Sequence, residues 1–153
     1  MKRMGRGRNG APRDTMIWTL KVKLVFGLYA KGPWEATVEI ASSATLVDLH
    51  LAIQGAVQFS DDHMYMFYVA RTPRSRDRID FDNEDGSLEQ TTLAEIFPLA
   101  KGRKLFYWFD FGDDWKFSIE RTRAAPRPAD QGKRYPRVVA LRGDAPDQYP
   151  AWD

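Results

Sequence analysis

The sequence predicts an α+β fold in which one main helix packs on one face of a mixed β-sheet. Two segments with alternating apolar residues come first, an amphipathic helix follows, and an apolar run after the helix has the length of a buried strand. A helical crossover usually returns the chain parallel to an earlier strand. The sheet is therefore expected to contain parallel as well as antiparallel pairs.

The first two strands form a predicted hairpin. Apolar residues alternate from Trp18 to Phe26 and again from Trp34 to Ile40, with lysines between them in the first strand and glutamates in the second. Antiparallel pairing places these opposite charges on the same solvent-facing side of the sheet. Gly27 to Pro33 supplies the turn. The agreement between charge and register predicts this hairpin.

The helix is predicted over residues 46–58. Thr45 is a suitable N-cap with Asp48 three residues on, and the apolar positions recur at helical spacing, among them Leu49 and Ile53. After it, the run from Met64 to Ala70 predicts a strand that is buried on both faces.

The second half of the chain predicts a charged excursion, a short helix and a last hairpin. Residues 71–90 are rich in charge, and the short helix begins at Thr92 and stops before Pro98. Leu105–Phe111 and Trp115–Glu120 flank Gly112-Asp113, which suits a two-residue turn. That turn pairs Trp108 with Phe117 and Asp110 with Trp115. Leu49, Ile53 and Trp108 are therefore expected to be nearly fully buried.

The assembled order is β-β-α-β-short α-β-β, which is the order of a ubiquitin-like β-grasp with an added C-terminal hairpin. The helical crossover predicts that the Met64–Ala70 strand is central and pairs parallel with the Trp18–Phe26 strand. Residues 1–15 predict a disordered basic arm, residues 16–121 a single domain, and residues 122–153 a Pro-rich coil tail that Tyr135, Tyr149 and Trp152 anchor.

Composition narrows the class of protein. The chain of 153 residues has no cysteine, which excludes disulfides and thiolate sites, and it has no apolar run long enough to cross a membrane and no secretory signal. We expect a cytoplasmic protein without membrane contact. Residues 1–13 hold five bases and no acid, residues 14–120 hold 11 bases and 17 acids, and residues 121–153 hold seven bases and four acids. Nucleic-acid binding would therefore rest on the basic tails or on a local patch.

Three groups of residues resemble a known family. They are Thr45-Leu46 with Leu49-His50 and Ile53-Gln54, Asp62-His63-Met64 with Phe67, and the run from Tyr107 to Trp115 with Ile119. This pattern resembles the plasmid pRi ORF-three-like family, over about Ile17 to Glu120 and more weakly at Tyr135-Pro136. The family occurs in bacterial and mobile-element contexts and has no established activity, so the resemblance implies a fold and leaves the function open.

Two positions depart from that family. The chain has Phe117 where the family commonly has a histidine, and only Gly143 to Asp147 where the family commonly has a cysteine and a Pro-Pro-Glu-Asp segment. If family members share a polar or metal site built from those groups, the resemblance implies that this chain lacks part of it.

Two acidic turns contain the candidate site residues. One holds Asp110, Asp113 and Asp114, and the other holds Asp61, Asp62 and His63. Together they are candidate ligands of a divalent cation, or candidate catalytic groups in the case of Asp110, Asp113 and His63.

The alternative is that the aspartates only shape their turns, because an aspartate side chain caps nearby backbone amides. Asp110 falls on the apolar face beside Trp115, so it is expected to accept hydrogen bonds from turn amides or from the indole. His50 is expected to be structural. Whether the two turns meet in space stays open.

The sequence contains no complete catalytic constellation and predicts no cofactor beyond a candidate divalent cation. The first hypothesis is a non-enzymatic module that binds an unknown protein partner through a sheet edge, the 71–90 segment or its tails. The alternative is a metal-dependent enzyme or nucleic-acid-processing factor that uses the Asp-rich turn and His63. A third interpretation is nucleic-acid binding through the basic tails.

Overall fold

Seven strands form one sheet in a computed structural model that describes residues 15–151. The strands are β1 (Ile17–Phe26), β2 (Glu35–Ala41), β3 (Tyr65–Ala70), β4 (Arg78–Phe81), β5 (Lys104–Phe109), β6 (Trp115–Arg121) and β7 (Arg137–Arg142). The helices are α1 (Leu46–Val57), α2 (Ser87–Gln90) and α3 (Leu93–Ile96). The strand order is β4-β3-β5-β6-β1-β2-β7, so the architecture is α+β. The basic arm (except Thr15) and Trp152 lie outside the described residues.

The first hairpin is confirmed in its register. β1 and β2 pair antiparallel, with Lys23 opposite Glu35 and Val22 opposite Ala36. Lys21 forms an ion pair with Glu35 at 3.4 Å on the solvent-facing side. The apolar partners on the other side, such as Val22, are completely buried.

The main helix is confirmed together with its cap. The Asp48 amide donates to Thr45 Oγ1 at 3.3 Å, and the Thr45 amide donates to Asp48 Oδ2 at 2.9 Å, which satisfies two amides at the helix start. Leu49 and Ile53 are fully buried against the sheet, as the apolar spacing predicts. α1 ends at Gln58, which adopts a left-handed conformation.

The predicted parallel pairing is wrong. β3 pairs antiparallel with β4 and with β5, while β1 pairs with β2 and β6, and every neighbouring pair in the sheet is antiparallel. The β5–β6 hairpin separates β3 from β1, because its strands are buried on both faces and occupy the interior of the sheet. The sheet is therefore not mixed, and the β-grasp assignment is not confirmed.

The predicted register of the last hairpin is wrong by one residue. Trp108 lies opposite Lys116, Tyr107 opposite Phe117 and Phe109 opposite Trp115. Five residues, 110–114, connect the strands instead of two, and Asp110 and Asp114 adopt left-handed conformations there. Because strand side chains alternate, this shift turns Tyr107 into the core and leaves Trp108 only half-buried on the opposite face.

The C-terminal segment is part of the sheet, so its prediction as coil is wrong. β7 pairs antiparallel with β2 and extends the sheet at its edge. Upstream, the Ile17 amide donates to the Arg127 carbonyl at 2.7 Å. The excursion at residues 71–90 likewise contains regular structure, namely β4 and α2. Among the described residues, none of the helices has the length and apolar character needed to span a membrane.

Candidate functional site

The two acidic turns meet at one end of the sheet. Residues 61–63 lead into β3, residues 110–114 follow β5, and these two strands are neighbours. The Asp110 amide donates to the Met64 carbonyl at 3.0 Å. The side chains also meet, since His63 Nε2 lies 3.3 Å from Asp110 Oδ2. The structure therefore brings together two of the candidate site residues from turns about fifty residues apart in the chain.

Asp110 is a buried carboxylate whose two oxygens have different partners. Oδ1 accepts hydrogen bonds from the amides of Gly112 at 3.2 Å and Asp113 at 3.3 Å, while Oδ2 faces His63. Turn amides, rather than the Trp115 indole, thus satisfy the carboxylate. One oxygen therefore shapes the turn and the other connects it to the neighbouring turn.

The C-terminal segment closes over this end of the sheet through a contact that we call the clasp, formed by Gln148 and Tyr149 on Ser60, Asp62 and His63. Tyr149 Oη lies 2.7 Å from His63 Nε2 and donates to Asp62 Oδ2 at 2.8 Å. The Gln148 amide group donates to the Ser60 carbonyl and to Asp62 Oδ1, both at 3.1 Å, and its oxygen accepts from the Ser60 amide at 2.6 Å. The predicted anchoring role of Tyr149 is therefore confirmed.

The electrostatics of the clasp keep Tyr149 a hydrogen-bond donor. Desolvation, and then the hydrogen bond to the Asp62 carboxylate, raise the pKa of Tyr149 to about 12. Desolvation also raises the pKa of Asp113, with a further contribution from the nearby Asp110 carboxylate, and His63 opposes this shift. Tyr149 Oη therefore carries its proton at neutral pH and can accept a hydrogen bond from His63 Nε2.

The remaining predicted site residues divide between the turn and the opposite face. Asp113 lies in the turn, with its amide on Asp110. Asp114 forms an ion pair with Lys116, whose Nζ lies 3.1 Å from Asp114 Oδ1. Within residues 15–151, no three His, Asp or Glu side chains are arranged to hold a metal ion. A divalent-cation site at His63, Asp110, Asp113 and Asp114 stays a prediction. Both oxygens of Asp110 and Oδ1 of Asp114 already have protein partners.

The second histidine belongs to a buried chain of hydrogen bonds. Gln54 Nε2 donates to Tyr107 Oη at 2.9 Å, Tyr107 Oη lies 2.6 Å from His50 Nδ1, and His50 Nε2 lies 3.0 Å from Asp61 Oδ1. Burial lowers the pKa of His50, although the hydrogen bond to Asp61 opposes this shift. A neutral His50 that donates to Asp61 and accepts from Tyr107 gives each of these hydrogen bonds one donor and one acceptor. The buried Gln54 Oε1 at the end of the chain has no hydrogen-bond partner among the described residues.

The buried hydrogen bonds around His50 favour a structural role for this residue. The imidazole is 2% exposed and stacks on the Tyr65 ring at a centroid distance of 3.6 Å. Tyr107 is fully buried, and desolvation raises its pKa well above the ordinary value. A buried tyrosine behind a buried imidazole has no open side for a substrate. Only Asp61 reaches the surface.

An open cleft of about 640 Å³ lies beside these histidines, between the start of β3 and α2. It combines three carboxylates with apolar side chains, and its lining is Val47, Asp61, Asp62, His63, Met64, Tyr65, Asn83, Gly86, Leu88 and Glu89. Asp61 and Asp62 have different partners at its rim. Asp61 contacts His50, and Asp62 accepts a hydrogen bond from Gln148. The arrangement can connect turns and accept hydrogen bonds, but both histidines already use their Nε2 atoms.

Sequence reasoning missed Gln148, which makes three hydrogen bonds to Ser60 and Asp62. The residues it joins are more than eighty positions apart, and nothing local distinguishes this glutamine from the exposed Gln131. The arginines of the segment between β3 and β4 were seen only as part of a charged excursion.

Comparisons with known proteins bear on the fold and on the family of this chain. The crystal structure of MM3350, a protein of unknown function from Methanosarcina mazei Go1, is similar with a TM-score of 0.66 and 22% identity, and the match covers 83% of this chain and 70% of that chain. At this identity the likeness supports the fold alone. A comparison with curated proteins finds no match. The family described as plasmid pRiA4b ORF-3-like protein matches residues 18–148, which include both acidic turns and the Gln148 side of the clasp. The chain therefore belongs to the plasmid pRiA4b ORF-3-like family.

Proposed function

We propose that this chain is a non-enzymatic interaction module that binds an extended, acidic segment of another protein along β7. The observation that carries the proposal is the position of β7. It is the last strand of the sheet, and within residues 15–151 no strand pairs with its outer edge. An open strand edge offers backbone donors and acceptors to an added strand, which is a recurring mode of peptide recognition.

A groove runs beside this edge and could receive side chains of the added strand. It has a volume of about 280 Å³ and is formed by one face of α1 and the start of β7, with the lining Leu51, Ala52, Gly55, Ala56, Pro136, Arg137 and Val138. Leu51 is 55% exposed, and the space in front of Gly55 is open. A small apolar groove next to a strand edge favours an apolar side chain at alternate positions of the peptide.

The charge around β7 favours an acidic partner. Residues 121–142 contain seven arginines and lysines and one acid, Asp130. Glu39 neutralises part of this charge through ion pairs with Arg127 and Arg137. In the part of the chain that the structure describes, Arg134 and Arg142 have no carboxylate partner. Complementary charge of this kind raises association rates and selects partners more than it raises affinity.

The other edge of the sheet is less suited to strand addition. β4 has only four residues, and its Arg78 side chain folds over the sheet to Tyr68. β7 has six residues and three large exposed apolar side chains, Val138, Val139 and Leu141. A bulge in the β2–β7 pairing and the flanking arginines limit self-association of this edge, as in other proteins with exposed strands.

The test is a titration with a peptide of about seven residues, a usual strand length, that alternates glutamate with valine. We expect micromolar binding, with backbone amide shifts in NMR spectra concentrated at residues 137–142. Arg142→Glu should weaken binding at least tenfold, about 1.4 kcal/mol. Arg76→Glu, a matched charge reversal at the β4 end of the sheet, should leave binding unchanged.

The controls decide between strand addition and simple charge attraction. A peptide with lysine in place of glutamate should not bind, and a peptide with a central proline should bind weakly because it loses a backbone donor. If the shifts appear at residues 78–81, or if the proline peptide binds equally well, the proposed mode at β7 is wrong.

A further inference from the structure

The sheet face opposite α1 carries a row of aromatic and basic side chains that crosses four strands. We call it the outer face. In the strand register, Phe26 lies opposite Lys116, Lys116 opposite Trp108, and Trp108 opposite Met66. Facing residues in this register point to the same side of the sheet, so the four side chains form one line.

Basic groups stand over the aromatic rings of this face. Lys116 Nζ lies 4.9 Å from the Trp108 ring centroid, and the Arg78 guanidinium lies 4.5 Å from the Tyr68 ring and 5.6 Å from the Trp108 ring. The Arg74 guanidinium lies 5.8 Å from the Phe26 ring. Lys116 pairs with Asp114 at 3.1 Å and Arg78 with Asp80 at 2.9 Å, so among these three basic groups of the described chain only Arg74 has no carboxylate partner.

Two rings near Trp108 and Lys116 remain open to a ligand. Phe26 and Phe111 are each 42% exposed, and the Phe111 ring packs on Trp108 at a centroid distance of 4.5 Å. A shallow cavity of about 280 Å³ adjoins Phe26, with the lining Val25, Phe26, Thr72, Pro73, Arg74 and Lys116. Phe26 and Trp108 are two strands apart, roughly 10 Å at the usual strand spacing.

The segment between β3 and β4 brings a strong local positive charge to this face. Residues 71–78 contain four arginines and one acid, Asp77, which pairs with Arg103 at 3.1 Å. Within residues 15–151, Arg71, Arg74 and Arg76 have no carboxylate partner. The Tyr68 hydroxyl donates to the Pro73 carbonyl at 2.6 Å and so holds the segment on the outer face.

This combination distinguishes the outer face from the rest of the acidic body. Unpaired guanidinium groups attract phosphates through counterion release, and exposed aromatic rings stack on unpaired bases. A duplex hides its bases and presents grooves, which a row of rings on a sheet face does not match. An acidic peptide would use the charges and leave the rings without a partner.

We propose that the outer face, from Phe26 to Phe111 with Arg74 and Arg76, binds single-stranded nucleic acid with little sequence preference. This function goes beyond the proposed peptide binding, which uses β7 at the edge of the sheet. The two sites can therefore fail independently. The proposal also differs from binding through the terminal tails.

The test is fluorescence anisotropy of the full chain with a labelled oligothymidine of about 12 nucleotides, within the usual site size of small single-strand binders. Phe111→Ala should weaken binding by about five- to 150-fold, the range for loss of one base–aromatic stack. The double variant Arg74→Glu/Arg76→Glu should weaken it at least tenfold and reduce the dependence of affinity on salt. A duplex of the same length should bind more weakly.

Matched controls separate this site from the tails and from β7. Arg134→Glu/Arg142→Glu, an equal double charge reversal near the opposite edge, should leave oligothymidine binding unchanged, and Arg74→Glu/Arg76→Glu should leave peptide binding unchanged. Thermal melts of each variant check folding, and the exposed Phe111 provides a variant that retains the core. Undiminished binding in both Phe111→Ala and the arginine variant, or equal affinity for the duplex, overturns the proposal and assigns the binding to the basic tails.

Discussion

His63 Nε2 and Asp110 Oδ2 lie 3.3 Å apart, in two turns that no local pattern connects. Tyr149 adds a third group to this pair from near the C-terminal end of the described chain, with its hydroxyl 2.7 Å from the same imidazole nitrogen. Three distant segments thus meet at one histidine. The contact joins the β3 and β5 ends of the sheet to the segment that follows β7.

The clasp predicts a loss of stability when Gln148 is shortened. Gln148→Ala removes three hydrogen bonds to Ser60 and Asp62, of which the Ser60 amide bond is the shortest at 2.6 Å. We expect the free energy of unfolding in urea to fall by about 1–3 kcal/mol. Gln131→Ala is the matched control, because Gln131 is exposed in a turn. Equal effects of the two substitutions would mean that the clasp does not stabilise the fold.

His50 predicts a decrease in stability at acidic pH. Burial lowers its pKa in the folded state below the ordinary histidine value of 6.5, so the unfolded chain binds a proton more readily than the folded chain does. Stability from this group is therefore complete above about pH 6.5 and falls as the pH decreases below it. Urea melts between about pH 7.5 and pH 5 should show this decrease, and His50→Gln should reduce it.

Asp61 supplies the control for that pH dependence. Its hydrogen bond raises the pKa of His50 against the effect of burial, so Asp61→Asn should lower the folded-state pKa further. The loss of stability below about pH 6.5 should then become larger than in the unsubstituted chain. An unchanged pH profile in both His50→Gln and Asp61→Asn would mean that His50 is not buried as a neutral group.

The register of the β5–β6 hairpin predicts different costs for two tryptophans. Trp115 is completely buried in the main core, whereas Trp108 is half-buried on the outer face. Trp115→Ala should cost about 3–5 kcal/mol of unfolding free energy, and Trp108→Ala clearly less. Ile53→Ala, also in the main core, should cost about 2–5 kcal/mol. A larger cost for Trp108 than for Trp115 would favour the register with Trp108 opposite Phe117.

The candidate cation site predicts a negative result in calorimetry. Asp110 already accepts two turn amides and faces His63, and Asp114 pairs with Lys116. We expect manganese to bind no more tightly than millimolar, about −4 kcal/mol, and Asp113→Asn to retain the fold. Micromolar binding that Asp113→Asn weakens at least tenfold would instead support the metal-dependent enzyme.

Local sequence patterns were sufficient to predict an element where they allowed only one register or one buried face. In the first hairpin, a slip by one residue would bury Lys21 and Lys23 and expose Val22, so charge alternation determines the register. In α1, Thr45 and Asp48 satisfy each other's amides, and the apolar stripe allows only one buried face. These interactions join residues that are close in the chain or directly paired across one turn.

Tertiary structure decided the features for which local patterns offered several solutions. β5 is apolar at five successive positions from Leu105 to Phe109, so either face could be buried, and the left-handed Asp110 and Asp114 selected the longer turn. Local patterns also allowed a parallel β1–β3 pair. In the structure the β5–β6 hairpin lies between those two strands.

The contacts of the candidate site also depend on tertiary packing. Neither His63 nor Gln148 has a neighbour in the chain that reveals its partner, and the contacts between these segments form only after the sheet has brought β3, β5 and the end of the chain together. The local elements could be predicted from the sequence, because their hydrogen bonds and apolar faces lie within a few residues. The sheet order, the clasp and the outer face depend on contacts between distant segments, and only the energy of the whole packed structure selects among those.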